Sequence, residues 1–466
     1  SDARSRILSQ ARKRVARSAQ AAYEPATDRP DPVALLEEQA RDRVPELGPI
    51  RYGRMLASPF AFFRGSAQIM AWDLARMPHS GLSTQLCGDA HLGNFGLFGS
   101  PERQLVFDLN DFDETLPGPW EWDLKRLASS VEVASRENGL SRSERRRAVL
   151  RTVARYREAM VEFAAMANLD VWYAQLSIDR LAAQTPQRST PGLRRAERTV
   201  RQARRRDHLR AVRKLTTTVG GDLRFLSDPP LLVPIEELPL EMAAGELELQ
   251  VRQATAAYLD SLPSERRTLL ERYRLVHVAR KVVGVGSVGT RVWVVLMLGR
   301  DEEDAVVLQL KEAGPSVLER FLGPSRYGNA GQRVVAGQRL MQAASDIFLG
   351  WQRMRSDGRE RDFYFRQLYD WKGSAEVEEL SADEMVGYGQ LCAWTLARAH
   401  ARAGDRIAIA AYLGTADTFE RAVADFADRY AEQNERDFEA LASAAADGRI
   451  TAARPGIGVS TGKPSV

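Results

Sequence analysis

Two hydrophobic periods alternate along this chain, and the places where the period changes mark its parts. Residues 118–180 carry apolar residues at three- and four-residue spacing. The spacing is clearest in "RAVLRTVARYREAMVEFAAMA" and predicts a helix with one buried face. The same period returns from residue 378, where Ser381 and Glu384 stand at capping-box spacing and Gly404 is placed to stop the helix. Between these stretches, residues 275–312 are rich in β-branched residues: "LVHVARKVVGVGSVG", "TRVWVVLML", a charged "GRDEEDA" turn and "VVLQLKEA". They predict buried strands. A helix near 331–346 and a strand at 362–371 follow. Upstream, residues 84–113 read as strand, glycine loop, strand. The stretch "RRAERTVRQARRRDHLRAVRKL" (194–215) predicts a basic helix, and residues 1–45 an Arg-rich helical arm broken by "EPATDRPDP".

These elements give an α+β chain divided at 1–45 (basic arm), 46–274 (helical lobe with polar loops), 275–372 (β-rich lobe), 373–445 (helices completing the helical lobe) and 446–466 (flexible tail). Composition changes this picture little. A chain of 466 residues, 44% hydrophobic and 27% charged, is in the range of a soluble globular protein of two or three lobes. The net charge of +4 permits an anionic ligand without demanding one. The only cysteines are Cys87 and Cys392. With a basic start and no run of about 18 apolar residues, they lead us to expect a cytoplasmic protein with free thiols and no membrane partner. The basic helix reads as a solvated face. It lacks the aromatics that stack on bases, so nucleic acid is not expected as a partner.

The candidate chemistry begins in "QLCGDAHLGNFG" (85–96). Asp89 and Asn94 are five residues apart, as in a loop where an aspartate meets an acceptor hydroxyl and an asparagine turns back to a metal. A Gly-rich turn with local caps is the plainer reading. His91 is read as a hydrogen-bonder within the loop, because no second histidine lies at ligand spacing. Next comes "FDLNDFDET", with Asp108, Asp111, Asp113 and Glu114. A solvated acidic turn would explain them. However, Phe107, Leu109 and Phe112 are interleaved, so some of these acids face inward and need partners or a metal. In "SPFAFFRG" the phenylalanines are read as core, and Arg64 as a side chain directed at a cleft.

Gly284, Gly286 and Gly289 spell G-x-G-x-x-G, with Ser287 inside the motif. The residues that follow form a strand, which favours a hairpin-tip glycine loop over a dinucleotide-binding turn. Lys311 ends the next apolar strand, as the lysine of a V-A-I-K strand does. Termination of an edge strand is the plainer reading there.

"CGDAHLGN" resembles the "HGDLHPGN" loop of aminoglycoside phosphotransferases and related small-molecule kinases. "NDFDETLPGPWEWDLKRLA" resembles the metal-binding segment that follows it in those enzymes. The resemblance implies Asp89 as catalytic aspartate, Asn94 and Asp111 as metal ligands, with Asp108 the alternative, and Asp123 as a structural aspartate. Cys87 stands where those loops begin with histidine. Over about residues 30–445 the chain also resembles an uncharacterised bacterial family grouped with the protein-kinase-like superfamily.

The order of motifs is unusual, because the glycine loop and Lys311 follow the Asp89 loop instead of preceding it. Read circularly, the sequence runs glycine loop, lysine strand, helix, hinge-like strand, long helix, catalytic loop and metal strand. The expectation is therefore a circularly permuted, two-lobe, protein-kinase-like fold, with the small β-rich lobe inserted after the first part of the helical lobe. Such a fold implies an ATP- and Mg²⁺-dependent phosphotransferase acting on an unidentified small-molecule or protein acceptor. Asp89 and Lys311 would be catalytic, and Gly284, Gly286, Ser287 and Gly289 would hold the nucleotide. AMP transfer and a nucleotide-binding pseudokinase stay open. A nicotinamide enzyme and a nucleic-acid binder are the outside readings. The helix after Lys311 carries Gln332, Gln338, Gln342 and Asp346 but no glutamate to pair with the lysine, and Glu319 is the nearest candidate.

Overall fold

The computed structural model describes residues 10–179, 191–205, 208–238, 244–356, 358–368 and 371–453. Residues 454–466, most of the expected tail, lie outside them. The architecture is mixed α+β, with several antiparallel sheets among helices.

The polar loops spring from one small ladder. Strand β1 (Ser83–Leu86) pairs with β4 (Leu116–Pro119), placing Leu86 opposite Leu116. Between them lies the hairpin of β2 (Phe95–Gly99) and β3 (Leu105–Leu109), extended by the short β5 (Leu176–Ser177). The connections 87–94 and 110–115 therefore leave this unit side by side. Behind it packs a helical core built from Glu121–Glu137, Arg142–Ala165, Ala382–Ala403 and Thr418–Ala446. The capping box of Ser381 and Glu384 forms as expected, and Gly404 caps the end of that helix. Cys87 and Cys392 are both buried free thiols.

After the short hairpin of β6 (Thr216–Val219) and β7 (Asp222–Phe225), a second, six-stranded sheet is formed by β8 (Leu232–Pro234), β9 (Arg274–Lys281), β10 (Val292–Leu298), β11 (Ala305–Ala313), β12 (Gly350–Ser356) and β13 (Arg359–Gln367). Its order is β12-β13-β11-β10-β9-β8, with every neighbour antiparallel. Side chains alternate between its faces. One face sends Val295, Leu308, Leu310 and Phe365 under the helix Ala244–Tyr258, whose Tyr258 stacks on Phe365 at 4.0 Å between ring centroids. The other face carries Val294, Leu296 and Val307, and in register with them Gln309 and Lys311.

The sheet unit therefore starts before residue 275. β8 pairs with β9 and belongs to it, as does the helix Ala244–Tyr258, which covers the face that the helix Ala330–Met341 does not. β12 was not expected, since "WQRMRS" has little apolar alternation. The basic stretch forms two helices, Pro191–Arg204 and His208–Leu215. Among the described residues, no helix is long and apolar enough to cross a membrane. Residues 10–45 lie on the body, where Arg29 bridges Asp73 (2.8 Å) and Asp437 (2.7 Å).

Candidate functional site

A cleft of about 520 Å³ opens where the two polar loops meet the β9–β10 connection. Asp89, Asn94, Asp111, Asp113, Glu114, Gly284, Gly286 and Ser287 all line it.

The Asp89 loop is held by its backbone. The Asp123 carboxylate accepts the amides of Cys87 (2.8 Å) and Gly88 (3.0 Å) and contacts His400 Nε2 at 3.1 Å. Gly88 has φ +86°, and a Cβ there would fall 2.3 Å from the Glu114 carbonyl oxygen, so only glycine fits. Asn94 Nδ2 donates to the Asp89 carbonyl (2.7 Å), and His91 Nδ1 accepts from Gly93 N (3.1 Å). These bonds close the turn. Asp89 Oδ1 accepts from Arg126 Nε at 2.8 Å. Burial pushes its carboxyl up to about 6, Arg126 pulls it down, and Asp111 and Asp123 push it up further.

The acids of the second loop divide. Asp108 is 1% exposed and turned away from the cleft: its carboxylate takes Arg398 and the amides of Ala343 (2.9 Å) and Leu109 (2.9 Å). That set leaves it no role as a metal ligand, whereas Asp111 keeps a third of its side chain open. Asp113 accepts from Lys311 Nζ and from Tyr364 Oη (2.8 Å), with Ser287 Oγ at 3.5 Å. Burial would raise the Asp113 carboxyl, but Lys311 holds it below the ordinary range. Lys311 is itself 2% exposed. Burial alone would lower its ammonium, and Asp111 (3.9 Å) and Asp113 overcome that and raise it. Burial pushes the neighbouring Glu114 carboxyl up to about 7, and its Oε2 accepts from Val317 N (2.7 Å).

The lysine's partner is thus Asp113, not Glu319. Glu319 accepts from Ser316 N (3.0 Å) and Ser325 N (3.2 Å) and faces Arg333 at 3.6 Å. The helix Ala330–Met341 acts on the site through Arg333, which donates to the carbonyls of Asp113 (2.8 Å), Thr115 (2.8 Å) and Gly314 (2.9 Å). Where a glutamate was expected on this helix, the residue that reaches the site is an arginine. A visible signal was Asp113 itself, two residues beyond Asp111. Lys372, also missed, lies beside Arg366 and Asp111, and burial pushes its ammonium down to about 7.

The glycine motif is the β9–β10 tip, as expected from the strand that follows it. Gly284 (φ +65°) and Gly289 (φ +90°) take the left-handed turns. Arg43 donates to the Gly286 carbonyl (2.6 Å) and also to that of Val288, Arg54 donates to the Gly284 carbonyl, and Val44 N donates to Gly289 O (2.7 Å). The N-terminal segment therefore pins the loop, which the sequence reading did not foresee. Gly289 lies against Arg43 outside the main cleft.

Beyond Lys311 the same sheet face is covered. Val212 and Leu215 of the helix His208–Leu215, together with Phe225, pack on Val294, Leu296, Val307 and Leu368. Among the described residues, no three His, Cys, Asp or Glu side chains converge as a ready-made metal centre. The cleft offers instead Asp111, a third exposed, which lines it together with Asn94. That donor set fits Mg²⁺, which takes one or two protein oxygens and leaves the rest to phosphates and water.

Comparison with curated proteins and with solved structures finds no match. One family model does match, over residues 43–444, and it spans all the cleft residues described above. On that span, the chain belongs to the family described as uncharacterized protein conserved in bacteria (DUF2252).

Proposed function

We propose that this chain is an ATP- and Mg²⁺-dependent phosphotransferase of permuted, two-lobe, kinase-like fold, acting on a hydroxyl-bearing acceptor. The observation that carries the reading is the Lys311–Asp113 pair, formed across 198 residues of sequence. It joins a glycine loop and its lysine strand to an Asp-Asn loop and an acidic turn in one cleft. Chance placement of each motif would not bring them together. A kinase-type lysine lies on the third strand, the second after the glycine loop, and here the loop joins β9 to β10 and Lys311 stands on β11.

In this reading the Asp89 carboxylate, poised near 6, orients the acceptor hydroxyl and takes its proton. Arg126 holds that carboxylate in place. Asn94 and Asp111 would hold Mg²⁺, which when bound neutralises phosphate charge. Lys311 stays protonated and places a cation at the phosphates, while the pinned glycine loop covers them. Positioning and electrostatics carry most of the rate in this class, so few residues suffice.

The covered sheet face beyond Lys311 favours a second reading, AMP transfer with the nucleotide reversed. The base would then avoid Val212 and Leu215. One experiment tests both. The protein is incubated with a bacterial extract and Mg·ATP, and modified products are identified by mass spectrometry against an Asp89→Asn control. Phosphorylated acceptor absent from the control supports the first reading, and AMP-modified acceptor with pyrophosphate supports the second. No Asp89-dependent product in any extract refutes both.

A further inference from the structure

Several arginines stand close to the cleft, and Arg43, Arg126 and Arg333 are satisfied. Arg43 holds carbonyls of the glycine loop, Arg126 holds Asp89 and the Phe63 carbonyl, and Arg333 holds three carbonyls. Arg64 is the exception. It ends the helix Pro59–Gly65, which Ser58 caps (3.1 Å to Ala61 N) and which Phe60, Phe62 and Phe63 anchor in the core. Those anchors direct Arg64 into the cleft. Its Nε is sealed from solvent without a hydrogen-bond partner, while the residue as a whole is part-buried. Glu378 and Asp89 attract it only from farther off, and burial pushes its pKa down.

A sealed guanidinium nitrogen without a partner is costly, and a ligand that brings acceptors and counter-charge would offset that cost. The surroundings fit such a ligand. A Cβ on Gly93 would lie 3.4 Å from Arg64 Nε, and a Cβ on Gly286 would lie 3.2 Å from the Arg64 carbonyl oxygen. The Arg64 side chain thus reaches the Asp89–Asn94 loop at Gly93, while its backbone passes the tip of the glycine loop at Gly286, and both approaches are close enough to favour glycine. A guanidinium presents a planar fork of donors that matches two oxygens of a phosphoryl group.

We infer that Arg64 and the glycine-loop tip form an anion subsite for a phosphoryl group, separate from the Lys311–Asp113 pair. The inference deepens the phosphotransferase reading and rests on it for the choice of phosphoryl over other anions. The phosphoryl group has two possible sources: the terminal phosphate of the nucleotide, or a phosphate already carried by the acceptor.

The test is calorimetric titration of the parent, Arg64→Gln and Arg64→Lys with Mg·ATP, Mg·ADP, and inorganic phosphate with and without ADP. If Arg64→Gln loses tenfold or more in ATP affinity and keeps ADP affinity, the subsite reads the terminal phosphate. If it loses phosphate binding in the presence of ADP and keeps ATP affinity, the subsite reads an acceptor phosphate. Arg64→Lys should recover part of either loss. Phosphate binding that depends on Arg64 in a protein that binds no nucleotide would keep the subsite and sink the phosphotransferase reading. Equal binding of all probes by parent and Arg64→Gln overturns the inference, as does a parent that binds none of them. Thermal melts guard against misfolding. Removing a cation whose Nε is sealed and unpartnered should leave the Arg64→Gln melting temperature equal or higher, and phosphate should raise the melting temperature of the parent alone. A variant that melts well below the parent would make Arg64 structural and refute the subsite.

Discussion

Replacing Asp89 by asparagine should make the fold more stable at neutral pH while removing the base that the proposed reaction needs. The folded carboxyl sits at about 6 against an ordinary value of 3.8, chiefly because it is buried. A shift of about 2 units corresponds to roughly 3 kcal/mol. The sign follows from which form the fold prefers. Below about pH 4 the carboxyl is protonated in both folded and unfolded chains, and its favourable contribution is fully present. As the pH rises through about 6 the folded carboxyl must ionise, and that contribution is lost.

Asparagine stays neutral at every pH, and its Oδ1 still accepts from Arg126 Nε. With part of the Asp89 side chain in reach of solvent, the expected gain is about 1–3 kcal/mol above pH 6 and close to zero at pH 4. Urea unfolding followed by tryptophan fluorescence at pH 4 and pH 7.5 reads it, since Trp120 and Trp122 lie in the buried core. Turnover should fall roughly 10²- to 10⁴-fold with Mg·ATP affinity nearly unchanged, and in the parent it should rise with pH through about 6. A variant less stable than the parent at pH 7.5, or a gain of the same size at both pH values, would refute the reasoning. Asp89 would then be a structural carboxylate whose charge the fold needs.

Asp111→Asn should weaken Mg²⁺-dependent ATP binding in an equilibrium titration and leave the melting temperature near that of the parent. Asp108→Ala should do the reverse, costing roughly 3–5 kcal/mol in urea unfolding because Arg398 is left buried without its carboxylate. Asp123→Ala strands two buried amides at roughly 1–3 kcal/mol each, and hydrogen exchange at Cys87 and Gly88 should rise before exchange elsewhere in the helical core. Leu215→Asp should unseat the cover on the Lys311 face; if the base uses that face, Mg·ATP binds more tightly than to the parent while inorganic triphosphate binds as before.

The elements were legible in proportion to how local their causes are. The helix after Ser381 was readable to the residue, because the capping box and Gly404 are local signals. The glycine hairpin was readable because the strand after Gly289 excludes a helix start. The Asp89 loop was readable as a polar glycine turn, and its support by Asp123 followed from the resemblance. What stayed hidden depends on pairing across long sequence distances. Nothing in "FDLNDFDET" says that Asp108 meets Arg398, 290 residues away, while Asp113 meets Lys311. The alternation of β3 separates them only once the strand's end is known. It stops at Leu109, so Asp108 points to the helical core and the acids beyond it turn toward the cleft. Arg43 and Arg54 were invisible for the same reason, since a carbonyl acceptor leaves no mark in the sequence.

The charge distribution of the cleft separates what it is prepared to bind from what it is not. At the end where the Asp89 loop, the acidic turn and the glycine loop meet, polar groups are held by bonds that need no ligand: Asp123 fixes one loop, Arg333 the second and Arg43 the third. A phosphate arriving there meets preset donors and acceptors and causes little reorganisation, which is the condition under which electrostatics contribute most to catalysis. A few residues along the same face, Val294, Leu296 and Val307 form an apolar wall of the kind on which a flat base would lie, and Val212, Leu215 and Phe225 already cover it. Displacing that cover exposes apolar area at about 25 cal/mol per Å², a cost that base stacking would have to offset. On the proposed reading the cleft would take phosphate first, and access for a base would depend on the helix His208–Leu215. The exposed side of that helix and of Pro191–Arg204 carries Arg198, Arg201, Arg204 and Lys214. The basic stretch that the sequence suggested was a solvated face is thus in part the outer surface of the helix that covers this apolar wall.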